Sequence, residues 1–407
     1  MPTLKVVRIV TRMNVGGPST HIRLLHQLDP RRFRTCLVVG RPETAEGDRA
    51  GWVQDGANRV IRIGSLRRSI RPLLDLLALA QILRILWRER PEILHTHMAK
   101  AGTLGRLAGW LYNRVGPGRT PGRCAVLVHT FHGHVLEGYF PRWISHLFTC
   151  WERWLAARTD CLIAVSPAIR RDLLERGVGR NEQWRVVPVG LDLTALKPLP
   201  PANGARSVRC GLVGRLVPIK NPQLFLDAVE RVVRRSPAPA LRAAVIGDGP
   251  LRPQMEAAVR ARRLGESFSF TGWCDDLASC YRELDVVCLT SWNEGTPLSV
   301  IEGMAAGRAA VASDVGGVRD LLEPPPGCPA ELAPGQHQIC RRGILFRAGD
   351  AEGLAGALVR LIEEPSLRHD LGQAGRAYAL EQFAHPRLME EISGLYERLS
   401  SSVRGRK

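Results

Sequence analysis

The chain has 407 residues, of which 45% are hydrophobic and 24% charged, and a formal net charge of +18. That balance excludes a disordered polymer, and the length admits two or three domains with cores of their own. No apolar run approaches membrane-spanning length, and ten cysteines without one Cys-x-x-Cys pair exclude the usual zinc and dithiol patterns.

The first ten residues enter a strand at once and lack the long apolar core of a signal peptide, so the expected location is the cytoplasm. Strands are predicted at 4–11, 35–39, 59–63, 93–96, 125–131, 161–165 and 185–187. Helices are predicted between them, most clearly at 19–28, 71–90, 102–114, 142–158 and 167–176. Alternation of apolar strands with helices predicts a parallel sheet covered on both faces. The proline- and glycine-rich stretch 197–206 then reads as a linker. Alternation resumes with strands at 208–213, 243–246, 267–271, 286–290, 309–312 and 344–346, and with helices that include 222–235 and 297–306. The prolines of 323–329 mark an irregular surface loop, a docking helix is predicted from about 386 to 399, and 400–407 reads as a disordered tail. The expected domains are 1–195, a linker at 196–206, 207–382, and a closing helix at 383–400 that packs back on the first domain. Cys36, Cys161, Cys210 and Cys288 fall inside strands, and buried reduced thiols are the expected state.

The charge is uneven: residues 1–200 carry +16 and residues 201–407 only +2. Such asymmetry points to an anionic partner, whether nucleic acid, a phosphorylated acceptor or a membrane leaflet. The segment 66–90 places an apolar stretch between arginines; an interfacial helix and a core helix with solvated ends fit that pattern equally well.

Candidate chemistry sits at the strand ends. Asn14-Val-Gly-Gly-Pro18 puts Gly16 and Gly17 before a helix, where backbone approaches a ligand closely, although an ordinary turn is the simpler reading. His129, His132 and His134 cluster at the end of one strand without the spacing of a metal site, and His95 and His97 end another. His132, with Gly133 after it, suits a hydrogen bond to a hydroxyl. In Gly214-Arg-Leu-Val-Pro-Ile-Lys-Asn221, Arg215 and Lys220 can converge on one anion. Gly247 opens the next strand end, and Trp273 offers a flat face to a nucleobase. The richest stretch is 290–307. Thr296 is the expected N-cap, Pro297 the first helical residue and Gly307 the left-handed stop. The free amides near Pro297, Leu298 and Ser299 form an anion site with Glu294 before it and Glu302 inside the helix, a layout suited to a sugar nucleotide.

These motifs, with His95-Thr-His-Met-Ala-Lys-Ala-Gly-Thr-Leu-Gly-Arg106 and His129-Thr-Phe-His-Gly-His134, resemble the retaining glycosyltransferases of family 4. The resemblance implies the α/β GT-B architecture, two doubly wound Rossmann-like domains facing each other across a cleft. It implies that Arg215 and Lys220 hold the diphosphate, Glu302 the ribose and Glu294 the transferred sugar, that Gly16 and Gly17 close on the donor, and that His132 touches the sugar near the reacting carbon. No metal or other cofactor is expected, since the two cations neutralise the leaving group. The expected activity is hexosyl or N-acetylhexosaminyl transfer in bacterial surface polysaccharide or glycolipid synthesis. The expected partners are a nucleotide-sugar donor, a lipid-linked or phosphorylated saccharide acceptor and, through the basic first domain, the anionic inner face of the cell membrane. A sugar-nucleotide epimerase of the same architecture is the alternative, and a nucleic-acid-binding protein ranks below both.

Overall fold

A computed structural model describes residues 3–13, 17–42, 59–120, 124–133, 142–200, 207–235, 241–274 and 276–404. The chain forms two compact units, Met1–Leu191 with His385–Lys407, and Asp192–Ala384. In the first unit, strands β1 (Leu4–Val10), β2 (Phe33–Gly40), β3 (Arg59–Ile63), β4 (Ile93–His97), β5 (Val126–Phe131), β6 (Cys161–Ala164) and β7 (Trp184–Val186) alternate with helices α1 (Gly17–Leu25), α2 (Pro72–Glu89), α3 (Ala99–Val115), α4 (Arg142–Ala156) and α5 (Pro167–Glu175). The second unit contains β8 (Val208–Val213), β9 (Leu241–Ile246), β10 (Phe268–Gly272), β11 (Val286–Leu289), β12 (Ala309–Ser313), β13 (His337–Cys340) and β14 (Gly343–Phe346). Its helices are α6 (Pro222–Arg235), α7 (Arg252–Ala261), α8 (Leu277–Arg282), α9 (Leu298–Ala305), α10 (Val318–Leu322), α11 (Ala351–Glu363) and α12 (Pro365–Gln382). A last helix, α13 (His385–Arg404), belongs to the first unit.

The first sheet is parallel throughout, in the order β3-β2-β1-β4-β5-β6-β7. Period-two alternation sends Val7 and Ile9 to one face, against Ala78, Ile82 and Leu86 of α2 and Leu104 and Ala108 of α3. Leu4 and Val6 face the other way, onto Leu24 and Leu25 of α1 and Leu388, Ile392 and Tyr396 of α13. The second sheet runs β10-β9-β8-β11-β12-β14-β13 and is parallel except for β13, which pairs antiparallel with β14. Strand β13 escapes the sequence pattern because it is a half-exposed edge strand with mixed polarity, His-Gln-Ile-Cys.

Three expectations need correction. Residues 192–200 are part of the second unit rather than a tail of the first or a free linker. Arg308 donates to the Pro200 carbonyl at 2.9 Å, and Arg376 donates to the carbonyls of Leu199 (2.9 Å) and Lys197. Residues 201–206 lie outside the described residues. The closing helix continues through Arg404, past the expected start of a disordered tail. Cys274 and Cys280 form a disulfide with Cα atoms 6.3 Å apart, whereas reduced thiols were expected. Asp276 caps α8 by accepting from the Ala278 and Ser279 amides, and the turn it stabilises brings the two thiols together.

Helices α3 and α4 are joined by a desolvated ion pair. Arg106, 2% exposed, donates from one nitrogen to both carboxylate oxygens of Glu152, at 2.9 and 2.7 Å. Removing one partner of such a pair strands the other charge without solvent. Glu152→Ala should therefore cost about 3–5 kcal/mol, whereas an apolar double replacement of Arg106 and Glu152 should recover most of it. Urea denaturation followed by far-UV circular dichroism reads both values, and a loss below about 1 kcal/mol for the single variant would mean that solvent already reaches the pair.

Candidate functional site

In the second sheet the strand order reverses between β8 and β11, which lie side by side while the chain leaves them in opposite directions. A parallel sheet opens a crevice beyond its strands' carboxyl ends at such a point. Arg215 and Lys220 follow β8, and Glu294 and the start of α9 follow β11. The two loops are stitched together there. The Trp292 amide donates to the Ile219 carbonyl at 2.9 Å, and the Thr290 hydroxyl donates to the Lys220 carbonyl at 2.8 Å.

Lys220 and Glu294 meet as a close ion pair, and the Ser291 hydroxyl donates to the same carboxylate oxygen at 2.6 Å. The sequence reading gave these two side chains separate tasks and overlooked Ser291; the structure brings all three together. The Glu294 carbonyl accepts from the Gly317 amide at 3.2 Å, and a Cβ at Gly316 would sit 2.0 Å from that carbonyl oxygen. Gly316 is therefore required by close approach. Arg215 is half-buried, and among the described residues no carboxylate pairs with it.

Gly247, with φ 137°, has no room for a side chain, because a Cβ would lie 2.0 Å from the Gly214 carbonyl oxygen. The Gly214 amide donates to the Ile246 carbonyl and the Leu216 amide to the Asp248 carbonyl, so the ends of β8 and β9 form one backbone layer. Beyond β10, Trp273 is 52% exposed and offers an open ring face.

Helix α9 starts one residue later than expected: Pro297 is the N-cap, and Leu298 is the first helical residue. With ψ at 102°, Pro297 is still extended, and the Thr296 hydroxyl is buried without a partner among the described residues instead of capping. The first-turn amides, including those of Leu298 and Ser299, have no acceptor within the helix and mark its positive end. At the other end, Gly307 adopts φ 74°, its amide donates to Met304 and that of Arg308 to Gly303, which completes the left-handed stop.

Glu302 is held inside by a residue the sequence reading missed. The buried Tyr281 of α8 donates its hydroxyl to Glu302 at 2.8 Å and also reaches the Ser299 carbonyl at 3.1 Å. Nothing in Cys-Tyr-Arg announces this; only the packing of α8 against α9 creates the contact. Burial raises the Glu302 carboxyl to about 7, and the Tyr281 hydrogen bond offsets only part of that rise.

In the first unit, β1 and β4 form the corresponding reversal. His97, at the end of β4, is fully buried, with Nδ1 3.2 Å from Nε2 of His132, just past β5. The His21 ring stands edge-on to His132, with centroids 5.1 Å apart. Burial lowers His132 to about 4, so at neutral pH it is an uncharged hydrogen-bonding group. His95 is committed to Tyr396 (2.6 Å) and Thr130 (2.7 Å), and His129 to Thr96 (2.8 Å), which makes both structural. Gly17 opens α1; Gly16 and His134 lie outside the described residues. Among the described residues no three His, Cys, Asp or Glu side chains are placed to hold one metal ion.

Comparison with known proteins finds matches along most of the chain. Residues 16–190 match the model of the glycosyl transferase 4-like domain, and residues 207–364 that of the glycosyl transferases group 1. The UDP-Gal:alpha-D-GlcNAc-diphosphoundecaprenol alpha-1,3-galactosyltransferase of Escherichia coli is 25% identical over 323 residues, 77% of either chain. The GDP-mannose-dependent alpha-mannosyltransferase of Mycobacterium tuberculosis is 26% identical over 408 residues, covering 96% of this chain and 94% of its own. Among solved structures, HepE of Anabaena in complex with UDP superposes with a TM-score of 0.74 at 19% identity, covering 97% of this chain and 100% of its own.

The raised carboxyl of Glu302 sets a sign that can be measured. A carboxyl that titrates near 7 when folded and near 4.5 otherwise favours the fold while protonated, so stability falls as pH rises from about 4.5 to 7. The cost above pH 7 is on the order of 3 kcal/mol. Glu302→Gln should therefore raise the melting midpoint of the unliganded protein at pH 8 and leave it unchanged at pH 4. Calorimetry at both pH values tests this; a lower midpoint for the variant at pH 8 would show that the ionised carboxylate is not under strain.

Proposed function

The chain belongs to the group 1 glycosyl transferases of the family 4 type, with the GT-B fold, and on that premise we propose that it is a retaining, metal-independent enzyme. It moves a hexosyl or N-acetylhexosaminyl group from a nucleoside diphosphate to an acceptor hydroxyl. The observation that carries this reading is the single sheet edge where two cations, a helix N-terminus and two carboxylates meet at the strand reversal.

Arg215 and Lys220 take the diphosphate, together with the amides of Leu298 and Ser299, and neutralise the charge that develops as the sugar departs. Lys220 leaves Glu294 to do so, which frees that carboxylate for hydroxyls of the transferred sugar. Glu302 in its ionised form accepts from the ribose hydroxyls, Trp273 stacks on the base, and the Gly214–Gly247 layer lets the nucleotide lie close to the backbone. Gly16 and Gly17 are assigned to the donor phosphate. His132, neutral at pH 7, is assigned a sugar hydroxyl rather than a proton-transfer step. With no carboxylate assigned as nucleophile, the acceptor attacks on the face the diphosphate leaves, and the departing phosphate oxygen takes the acceptor's proton.

The acceptor is proposed to be a lipid-linked or phosphorylated saccharide met at the inner face of the bacterial membrane, in surface polysaccharide or glycolipid synthesis. The +16 charge of residues 1–200 supports an anionic acceptor, and the Escherichia coli relative is named for a diphosphoundecaprenol-linked one. The relatives' names span UDP-galactose and GDP-mannose, so the base and sugar are for experiment to assign.

Thermal melting against a panel of UDP- and GDP-sugars should identify one donor that stabilises the protein in proportion to log concentration. Arg215→Ala and Glu302→Ala should each lose most of that shift, and transfer should persist in EDTA. A full shift in both variants would remove the donor assignment, and activity restored only by Mg²⁺ would remove the metal-independent one. Donor conversion without any acceptor consumed would instead indicate an epimerase.

A further inference from the structure

Helix α2 is apolar on two opposite sides. Ala78, Ile82 and Leu86 form the inner stripe, buried in the core of the first unit. The outer stripe, at helical spacing on the far side, is Leu73, Leu76, Leu77, Ala80 and Trp87, interleaved with Arg84 and Arg88. A helix covering a soluble sheet normally turns polar residues outward, yet Leu73 is 84% exposed, and Ile70, just before the helix, is 70% exposed. Helix α4 repeats the anomaly with Trp143, Leu147 and Trp151 on its outer side. Nine of the eleven large exposed apolar residues among those described lie between Ile70 and Trp151.

The two helices share one layer. Helix α2 packs on α3 in the same core. Helix α4 meets α3 through the edge-to-face rings of Trp110 and Trp154 and through the Arg106–Glu152 pair. All three helices return antiparallel to the strands they connect, so their first turns lie at the sheet's carboxyl edge, where His97 and His132 sit. Lys100, in the first turn of α3, anchors the start of α2 by pairing with Asp75 at 2.5 Å and bonding to the Ser69 carbonyl. Leu73 and Trp143 are the second residues of their helices. The exposed apolar groups are thus concentrated toward the reactive edge.

Charge selects the occupant. Six arginines flank or punctuate α2 between residues 67 and 90, and its two acids are already used within the fold, Asp75 by Lys100 and Glu89 by Arg59. Exposed leucine and tryptophan ringed by arginine match the boundary between anionic headgroups and acyl chains. No helix among the described residues is long and apolar enough to cross a membrane. We propose that the outer faces of α2 and α4 form one docking surface that lies on an anionic bilayer and brings the carboxyl edge of the first sheet to the headgroups. This rests on the reading of a lipid-borne acceptor given above.

Sedimentation of the full chain with vesicles of phosphatidylglycerol and phosphatidylcholine, against phosphatidylcholine alone, tests the surface. Binding should require the anionic lipid and weaken with salt. Leu73→Gln with Leu77→Gln should lower vesicle affinity by about tenfold or more, and Arg84→Glu with Arg88→Glu should remove most of the salt-sensitive part. Each double variant must keep the wild-type melting midpoint and donor-induced shift, which separates loss of docking from misfolding. Wild-type vesicle affinity in both double variants would overturn the surface while leaving glycosyl transfer intact. Light scattering that reports a dimer dissolved by the leucine variant, with no vesicle binding by the wild type, would assign the face to a second copy of the chain and overturn the proposal. Docking without any donor-induced shift would fault the functional reading instead.

Discussion

The candidate site depends on one topological constraint. Strands β8 and β11 are neighbours and parallel, but the chain leaves them toward opposite sides of the sheet. Their following loops cannot cover each other, so backbone amides and side chains are left facing an open crevice. Arg215, Lys220, Glu294 and the first turn of α9 all occupy the two segments that part there. The bonds from Trp292 to Ile219 and from Thr290 to Lys220 hold the parting loops in register, so that groups more than 70 residues apart in sequence lie at one end of the sheet.

At that end of the sheet the protein satisfies its charges internally. Lys220 and Ser291 occupy Glu294, and Tyr281 occupies one oxygen of Glu302. Glu302 remains a carboxylate in a place that disfavours its charge, which burial expresses by moving its titration to about 7. A site optimised for stability alone would put an amide or an apolar residue there. The strain makes sense if a ligand supplies the missing donors: hydroxyl groups that bond an ionised carboxylate recover energy the fold has already given up. On the proposed reading the Lys220–Glu294 pair would work in the same direction but through exchange, because a diphosphate would compete for the lysine and release the carboxylate.

The inner strands of both sheets were legible in the sequence because they are buried on two faces and stand out as apolar, β-branched runs, as at 126–131 and 286–289. Strand β13 was not, since an edge strand with one exposed side carries little pattern. The glycines of the site were legible where a strand ended in Gly, as at Gly247, because backbone approach is a local property. What failed were relations between distant segments. The Tyr281–Glu302 contact, the pairing of Lys220 with Glu294 and the burial of His129 away from His132 each depend on which helix packs on which strand. Thr296 shows the limit at short range: Ser or Thr before Pro reads as a cap, but an extended Pro297 took the position and left the hydroxyl unused.

The segment 66–90 was ambiguous for a reason the structure makes plain. An interfacial helix and a core helix are usually alternatives, because one apolar stripe can be buried only once. Helix α2 has two stripes, and the sheet consumes only the one through Ala78, Ile82 and Leu86. The outer one has no partner among the described residues, and burying three exposed leucines would be worth several kcal/mol to whatever covers it, at about 1.5–3 kcal/mol for each side chain fully removed from water. The parallel connection that makes α2 run antiparallel to its strands also fixes which end of that stripe lies at the sheet's carboxyl edge. The direction in which a membrane-borne hydroxyl would reach the histidines therefore follows from the same parallel wiring that, in the second sheet, opens the crevice at the strand reversal.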